Sequence, residues 1–438
     1  MVGDTMLKRK ISEKLLAWKN NADKKCLIVE GARQVGKTYS IMQFAQAYYK
    51  EENTIIINFL KDSDAHKIFD GNLDEESITK GFQILFRDKK IIEGKSLIFL
   101  DEIQNCPRAI TSLKFLNESG KYDVIASGSL LGVSYATVES FPVGYVERII
   151  MHSLDFEEFL WSQAIETETI QLIKTCFEQL KPVPEIVHSQ MMKIFTLYIV
   201  TGGMPEVVDQ YTKNNDFNEV LSIQQRIVND YKDDIAKYAS KSEKVRAREC
   251  FESIPRQLAK DYKKFQYKTV APGSRSNMYT SSIQWLIDAG IINKCSNLVI
   301  PQIPLIANSK VDSFKIYVKD TGLLMGMLGP ETQKKILLGE LGTFNGGIFE
   351  NVVGDLLVKA GKNLYYFERN STLEVDFIME YRNEIAAIEV KSGDNTKSKS
   401  LNSILEFKTV KYGIRLSIKN VSHTENLSRI PLYMTMFL

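Results

Sequence analysis

Residues 31–38 read Gly31, Ala32, Arg33, Gln34, Val35, Gly36, Lys37 and Thr38, a full match to the G-x-x-x-x-G-K-[ST] phosphate loop, directly after the apolar run Cys26, Leu27, Ile28 and Val29. This pattern demands a buried strand, an anion-cradling turn and a helix, in that order. Gly31 and Gly36 let the backbone curl until successive N–H groups of the loop face one anion, and the helix opening at Lys37 adds the positive end of its dipole. Lys37 then reaches the β- and γ-phosphates of a nucleoside triphosphate, and the Thr38 hydroxyl ligates Mg²⁺. A ligand-free Gly-rich turn is the bland alternative. Agreement at every position of the motif, behind a strand, weighs against it.

Hydrolysis needs a second acidic group. Ser96, Leu97, Ile98, Phe99 and Leu100 end in Asp101 and Glu102, so the run predicts a buried parallel strand with its acids at the carboxyl end, where ligands of open α/β sheets sit. Asp101 is expected to hold Mg²⁺ through water, and Glu102 to polarise the attacking water as general base. A third strand, at 123–126, runs into Ser127, Gly128 and Ser129. Ser127 is a candidate sensor of the γ-phosphate, with a simple turn as the equal alternative. Arg33 and Arg148 are candidate charge stabilisers, and neither is assigned.

Strands at 26–29, 54–59, 97–100 and 124–126 alternate with helical periodicity at 37–49, 78–86 and 109–118, which predicts a parallel sheet wrapped by helices, with a last strand at 146–151. From 161 to 258 the periodicity is helical, broken at Thr201, Gly202, Gly203, Met204 and Pro205 by a turn that ends one helix and starts another. The next stretch predicts a helix around 255–262, a basic loop, a helix at 277–289, and strands at 298–300 and 313–318, the order of a winged helix-turn-helix. It carries six basic side chains (Arg256, Lys260, Lys263, Lys264, Lys268, Arg275) against Asp261 alone between 254 and 280. That is enough for contacts to DNA phosphates, though a solvated helix face has the same composition. The expected domains are 1–160 (phosphate loop and sheet), 161–254 (helical), 255–335 (winged-helix-like) and 336–438.

The last segment holds a second constellation. An amphipathic helix at 349–357 carries Glu350, a strand at 374–379 carries Asp376, and a strand at 386–391 carries Glu389 and Lys391 before Ser392 and Gly393. Glu389 and Lys391 lie two apart and project from one face of a strand. This is the arrangement of the PD-(D/E)XK nucleases, in which Asp376 and Glu389 bind one Mg²⁺ while Lys391 positions or deprotonates water and Glu350 assists from the helix. Glu-x-Lys is also a frequent exposed strand pattern, and the fold can persist without cleavage.

Composition limits the rest. The 438 residues hold 56 Lys and Arg against 54 Asp and Glu, so global charge favours no partner and any nucleic-acid surface must be local. Five cysteines without paired spacing and only four histidines indicate neither a disulfide framework nor a zinc site, which fits a reducing, cytoplasmic setting. Neither a signal-peptide core nor an apolar stretch of about 18 residues appears, so no membrane partner is expected.

The chain resembles the bacterial and archaeal AAA-like ATPases whose C-terminal half is a domain of unknown function with a restriction-endonuclease-like core. The likeness rests on residues 31–38, on Leu-Asp-Glu-Ile-Gln at 100–104, Ala-Ser-Gly-Ser-Leu-Leu-Gly at 126–132, Leu-Asp-Phe-Glu-Glu-Phe-Leu at 154–160, Thr-Gly-Gly-Met-Pro-Glu at 201–206 and Ala-Ile-Glu-Val-Lys-Ser-Gly at 387–393. It implies an α/β, multidomain ATPase of the additional-strand, catalytic-glutamate class, with a helical and winged-helix middle and a nuclease-like end. At Gly144 and Tyr145 the chain departs from relatives that carry a basic residue there. Two functions stay open: an ATP-driven, Mg²⁺-dependent enzyme acting on nucleic acid, and a regulatory ATP switch that binds protein or DNA without cutting it. A homo-oligomer is a candidate state in either case.

Overall fold

A computed structural model describes residues 7–129, 140–239, 243–260, 262–340, 345–369, 373–391 and 399–438. Leu130, Leu131 and Gly132 of the 126–132 motif, Asp261, and Ser392 and Gly393 lie outside them. The chain divides into two units, one of Arg9–Ser153 with Asp288–Gly290 and one holding Leu154–Ile287 and Ile291–Leu438.

In the first unit the alternation read from the sequence becomes α1 (Ile11–Asn20), β1 (Cys26–Glu30), α2 (Lys37–Tyr48), β2 (Thr54–Asn58), α3 (Glu75–Leu85), β3 (Leu97–Asp101), α4 (Pro107–Ser119), β4 (Asp123–Gly128) and β5 (Val146–Ile150). The five strands pair in parallel in the order β2-β3-β4-β1-β5. β4 thus stands between the phosphate-loop strand and the strand of Asp101. Leu97, Ile98, Phe99 and Leu100 are wholly buried, as expected of a central strand covered on both faces. Each such side chain contributes roughly 1.5–3 kcal/mol by leaving water. One core joins Ile28, Ile57, Ile98, Leu100, Phe82 and Leu113 across the sheet and two of its helices.

The second unit opens with α5 (Phe156–Ser162), α6 (Thr167–Gln179), α7 (Glu185–Thr201), α8 (Pro205–Asn214), α9 (Phe217–Tyr238), α10 (Lys244–Leu258) and α11 (Ser276–Asp288). The 154–160 motif is a capping box: Asp155 accepts from the Glu158 N–H, and Glu158 accepts from the Asp155 N–H. There follow β6 (Ile292–Leu298), β7 (Ser309–Val318), α12 (Thr321–Leu328), α13 (Pro330–Leu337), α14 (Asn345–Lys359), β8 (Leu364–Arg369), β9 (Leu373–Tyr381), β10 (Glu384–Val390), α15 (Lys399–Leu405), β11 (Val410–Ser417), β12 (Ser422–Thr424) and β13 (Leu427–Pro431). The strands form one mixed sheet, β12-β13-β11-β10-β9-β8-β6-β7.

Two expectations shift here. The helix expected to begin near Pro255 runs from Lys244 to Leu258 and holds Pro255 inside it. Pro255 is not a first-turn signal; it sits in the last turn. The strand expected at 298–300 is β6, which ends where that span begins, because the apolar stretch around Ile291 and Ile292 already starts the pairing. Moreover β6 pairs in parallel with β8, so the β6–β7 hairpin is continuous with the C-terminal strands across residue 335.

The glycine turn at 201–206 is explained by packing. Gly202 has φ 72°, and a Cβ on Gly203 would lie 2.0 Å from the Leu154 carbonyl oxygen. Asp320 accepts from the N–H groups of Gly203 and Gly322, both at 2.9 Å. Lys359 reaches the same place from α14, 2.7 Å from Asp355, 3.6 Å from Asp320, and donating to the Leu154 carbonyl at 3.0 Å and the Tyr198 hydroxyl at 3.1 Å.

Burial, with Asp320 acting in the same direction and Lys359 against it, raises Asp355 from 3.8 to about 6. The folded chain therefore holds this proton more tightly than the unfolded chain, so the contribution to stability is full below the unfolded value and is lost as pH rises through about 6. Chemical denaturation of wild type and Asp355→Asn between pH 4 and 6.5 should show wild type losing up to about 1.4 kcal/mol per pH unit relative to the variant. Parallel pH profiles would contradict this placement of Asp355.

Candidate nucleotide-hydrolysis site and a buried carboxylate cluster

The phosphate loop turns between β1 and α2. Gly31 has φ 156°, and a Cβ there would lie 2.2 Å from the Met151 carbonyl oxygen, so this loop position admits only glycine. Gly36, at φ 94°, takes the left-handed conformation in front of α2, and Gln34 takes it at φ 63°. Ala32 and Val35 are buried, and Arg33 is half-buried. Arg9, which the sequence did not single out, ties the loop down. Its guanidinium donates to the Val35 carbonyl at 2.9 Å and to the His152 carbonyl at 2.6 Å.

The Lys37 ammonium donates to the carbonyls of Gly31 at 2.9 Å and Ala32 at 2.8 Å. Burial lowers Lys37 from 10.5 to about 8, against the pull of Glu102 and Asp101. An anion brought to the loop therefore meets a lysine whose charge is poorly solvated.

Asp101 is the centre of the site. It is 2% exposed, and the Thr38 hydroxyl donates to its oxygens at 3.0 and 3.1 Å. Ser127 donates to Oδ1, and Asn58 Nδ2 donates to Oδ2 at 2.8 Å. Asn58 is the register partner of Asp101 across β2 and β3, and β4 brings Ser127 from the other side. Thr38 and Asp101, the two groups expected at Mg²⁺, are thus adjacent. A hydroxyl beside a buried carboxylate is a donor set of the hard, oxygen-only kind that suits this ion.

Glu102 follows in the left-handed region at φ 53° and ψ 43°, a conformation that costs a non-glycine residue on the order of 1 kcal/mol. Its carboxylate accepts from Gln104 Nε2 and, at 3.3 Å, from the Ser129 hydroxyl. Arg148 lies elsewhere on β5, 3.5 Å from Glu30 and over the Phe141 ring.

The C-terminal constellation is assembled differently. Glu350, which is buried, meets the half-buried Asp376 and Glu374 in a cluster that contains Lys315 of β7, which is wholly buried. Lys315 Nζ lies 2.7 Å from Glu374, 3.4 Å from Glu350 and 3.9 Å from Asp376. Lys263 pairs with the other Glu350 oxygen at 2.6 Å, and the Tyr317 hydroxyl donates to Glu350 at 3.2 Å. Lys263, read in the sequence as a candidate contact to DNA phosphates, is therefore an ion-pair partner with a side chain 13% exposed. Burial raises Asp376, and Glu350 adds to this; burial would raise Glu350 too, but Lys315 and Lys263 outweigh it and hold Glu350 below its ordinary value.

Asp376 Oδ2 accepts the Val390 N–H at 2.8 Å, and Glu389 pairs through Oε1 with Lys391 at 2.7 Å, while Glu389 Oε2 is buried without a hydrogen-bond partner. Among the described residues no three His, Cys, Asp or Glu side chains converge as a metal site.

Comparison with known proteins agrees with the first unit. Residues 23–160 match the family model described as an AAA domain. Residues 192–334 and 345–434 match two domains of unknown function, DUF8612 and DUF4143. A search of curated proteins finds no match. Among solved structures, the Walker-type ATPase PABY2304 of Pyrococcus abyssi aligns at 14% identity and TM-score 0.45, over 74% of this chain and 96% of its own. The ORC1 protein of Aeropyrum pernix in complex with DNA aligns at 11% identity and TM-score 0.30, over 77% and 95%. AMPPCP-bound DnaA from Aquifex aeolicus aligns at 14% identity and TM-score 0.27, over 64% and 86%.

Because Asn58 holds Asp101 by a 2.8 Å hydrogen bond, Asn58→Ala should act on the Mg²⁺ requirement. ATP turnover is expected to fall roughly 10- to 100-fold, with part of the loss recovered at high Mg²⁺. A variant with wild-type Mg²⁺ dependence would show that Asn58 has no such part. With the loop, Thr38, Asp101 and Glu102 assembled at the carboxyl ends of β1 and β3, residues 23–160 have the phosphate-loop geometry that their match to the AAA domain model calls for, and are similar to AAA-like P-loop ATPases.

Proposed function

We propose that the chain binds ATP with Mg²⁺ in its first unit and hydrolyses it there. ATP turnover then governs DNA binding by the second unit, which does not cut its partner. The observation that carries the proposal is the adjacency of Thr38 and Asp101 with Glu102 next in the chain. The loop N–H groups and Lys37 hold the phosphates. Thr38 and Asp101 hold Mg²⁺, which, when bound, neutralises charge on the β- and γ-phosphates. Glu102, fixed by Gln104 and Ser129, takes the proton of the attacking water.

DNA is favoured as partner by the exposed cations Arg256, Lys264, Lys268 and Arg275. Binding without cleavage is favoured over a Mg²⁺ nuclease at Asp376, Glu389 and Lys391. Asp376 Oδ2 is taken by the Val390 N–H, and Glu389 Oε1 by the Lys391 ammonium.

Purified protein assayed for ATP turnover and DNA binding tests the whole proposal. Lys37→Ala is expected to abolish nucleotide affinity, whereas Glu102→Gln should keep ATP bound and slow hydrolysis roughly 10²- to 10⁴-fold. Charge reversal at Lys264, Lys268 and Arg275 should weaken DNA binding and flatten its salt dependence. Equal turnover in wild type and Glu102→Gln would remove Glu102 as base, and unchanged DNA affinity at low salt would remove DNA as partner.

A further inference from the structure

A nuclease of the PD-(D/E)XK kind needs a divalent cation at the carboxylate that Asp376 represents here, with Glu350 beside it on the preceding helix. We infer that this cluster is closed to divalent cations because two lysine ammonium groups, Lys315 and Lys263, are its built-in cations. The inference deepens the non-cleaving reading of the second unit, on which it rests, and is independent of hydrolysis at Glu102.

The geometry accounts for nearly every carboxylate oxygen in the cluster. Glu350 uses Oε1 on Lys263 at 2.6 Å, and Oε2 on Lys315 at 3.4 Å and Tyr317 at 3.2 Å. Glu374 uses Oε1 on Lys315 at 2.7 Å, and Asp376 uses Oδ2 on the Val390 N–H and turns Oδ1 toward Lys315 at 3.9 Å. Three carboxylates therefore face two ammonium groups. An added divalent ion would have to come within coordination distance of carboxylates already shared with those ammonium groups, and would make the cluster net positive.

Neither lysine is placed to leave. Lys315 rises from a sheet strand and is wholly buried, so its amino group has no aqueous alternative within reach. Burial acts against its charge, but Glu350, Glu374 and Asp376 together outweigh burial and keep it charged. Lys263, on the segment after α10, takes the other Glu350 oxygen and is held charged chiefly by Glu350.

The test uses the full-length, nucleotide-free protein and Mn²⁺ as the probe. Calorimetric titration of wild type and Asp376→Asn with Mn²⁺ is expected to give superimposable curves, because no ion enters the cluster. In thermal unfolding, Lys315→Met should lower Tm by roughly 5–10 °C or fail to fold, and Lys315→Met with Glu350→Gln should recover part of the loss, since a carboxylate stranded by the first change is removed by the second. A Lys315→Met protein as stable as wild type would overturn the inference. So would a Mn²⁺ site present in wild type and lost in Asp376→Asn. If that site supports no cleavage of DNA, the inference fails and the non-cleaving reading stands; if it supports Mn²⁺-dependent cleavage lost in Asp376→Asn, both fail. The titration needs no lysine variant and decides even where those do not fold.

Discussion

The burial of the Asp101 carboxylate is the constraint around which the first unit is arranged. A carboxylate 2% exposed at the end of a strand whose other side chains are wholly apolar has lost its water and needs hydrogen-bond donors from the protein. It is kept by donors from three separate elements: Thr38 from the helix after the phosphate loop, Asn58 from β2 and Ser127 from β4. Those donors meet only if β4 lies between β1 and β3 and if Asn58 stands in register with Asp101. The order of the sheet and the chemistry of the site are therefore one requirement. Glu102 inherits its position from the same strand end, and its left-handed backbone turns its carboxylate toward Gln104 and Ser129.

The second unit meets the same physical problem, buried carboxylates, with lysines. Lys315 and Lys263 serve Glu350, Glu374 and Asp376, and Lys359 serves Asp355 and Asp320. Buried pairs of this kind add little net stability over apolar packing, yet removing one partner is strongly destabilising because it strands the other charge. They specify arrangement. Lys359 also donates to the Leu154 carbonyl and the Tyr198 hydroxyl, so one ammonium group ties together α14, α7 and the segment entering α5.

How much of this was legible in the sequence depended on how local the determinants are. The phosphate loop and the run ending in Asp101 and Glu102 were legible because each is a single strand with its adjoining turn, and every determinant lies within about ten residues. Asn58 and Gln104 were not, since an Asn ending an apolar run or a Gln in a turn is ordinary until strand register sets it against an acid. Lys315 was invisible for a stronger reason: a lysine in a strand reads as solvent-facing, and only pairing of β6 with β8 puts β7 over the carboxylates of β9 and α14. Lys263 misled by composition, because a run of basic residues says nothing about which one turns inward.

In the proposed mechanism Asp101 is the group that makes nucleotide binding depend on Mg²⁺, separate from the charge that Lys37 supplies. ATP affinity of wild type and Asp101→Asn, measured by equilibrium dialysis in Mg²⁺ and in excess chelator, decides this. Wild type is expected to tighten when Mg²⁺ is added, and Asp101→Asn to bind ATP about as wild type does in chelator while gaining nothing from Mg²⁺. An Asp101→Asn protein whose affinity still rises with Mg²⁺ as wild type's does would contradict it.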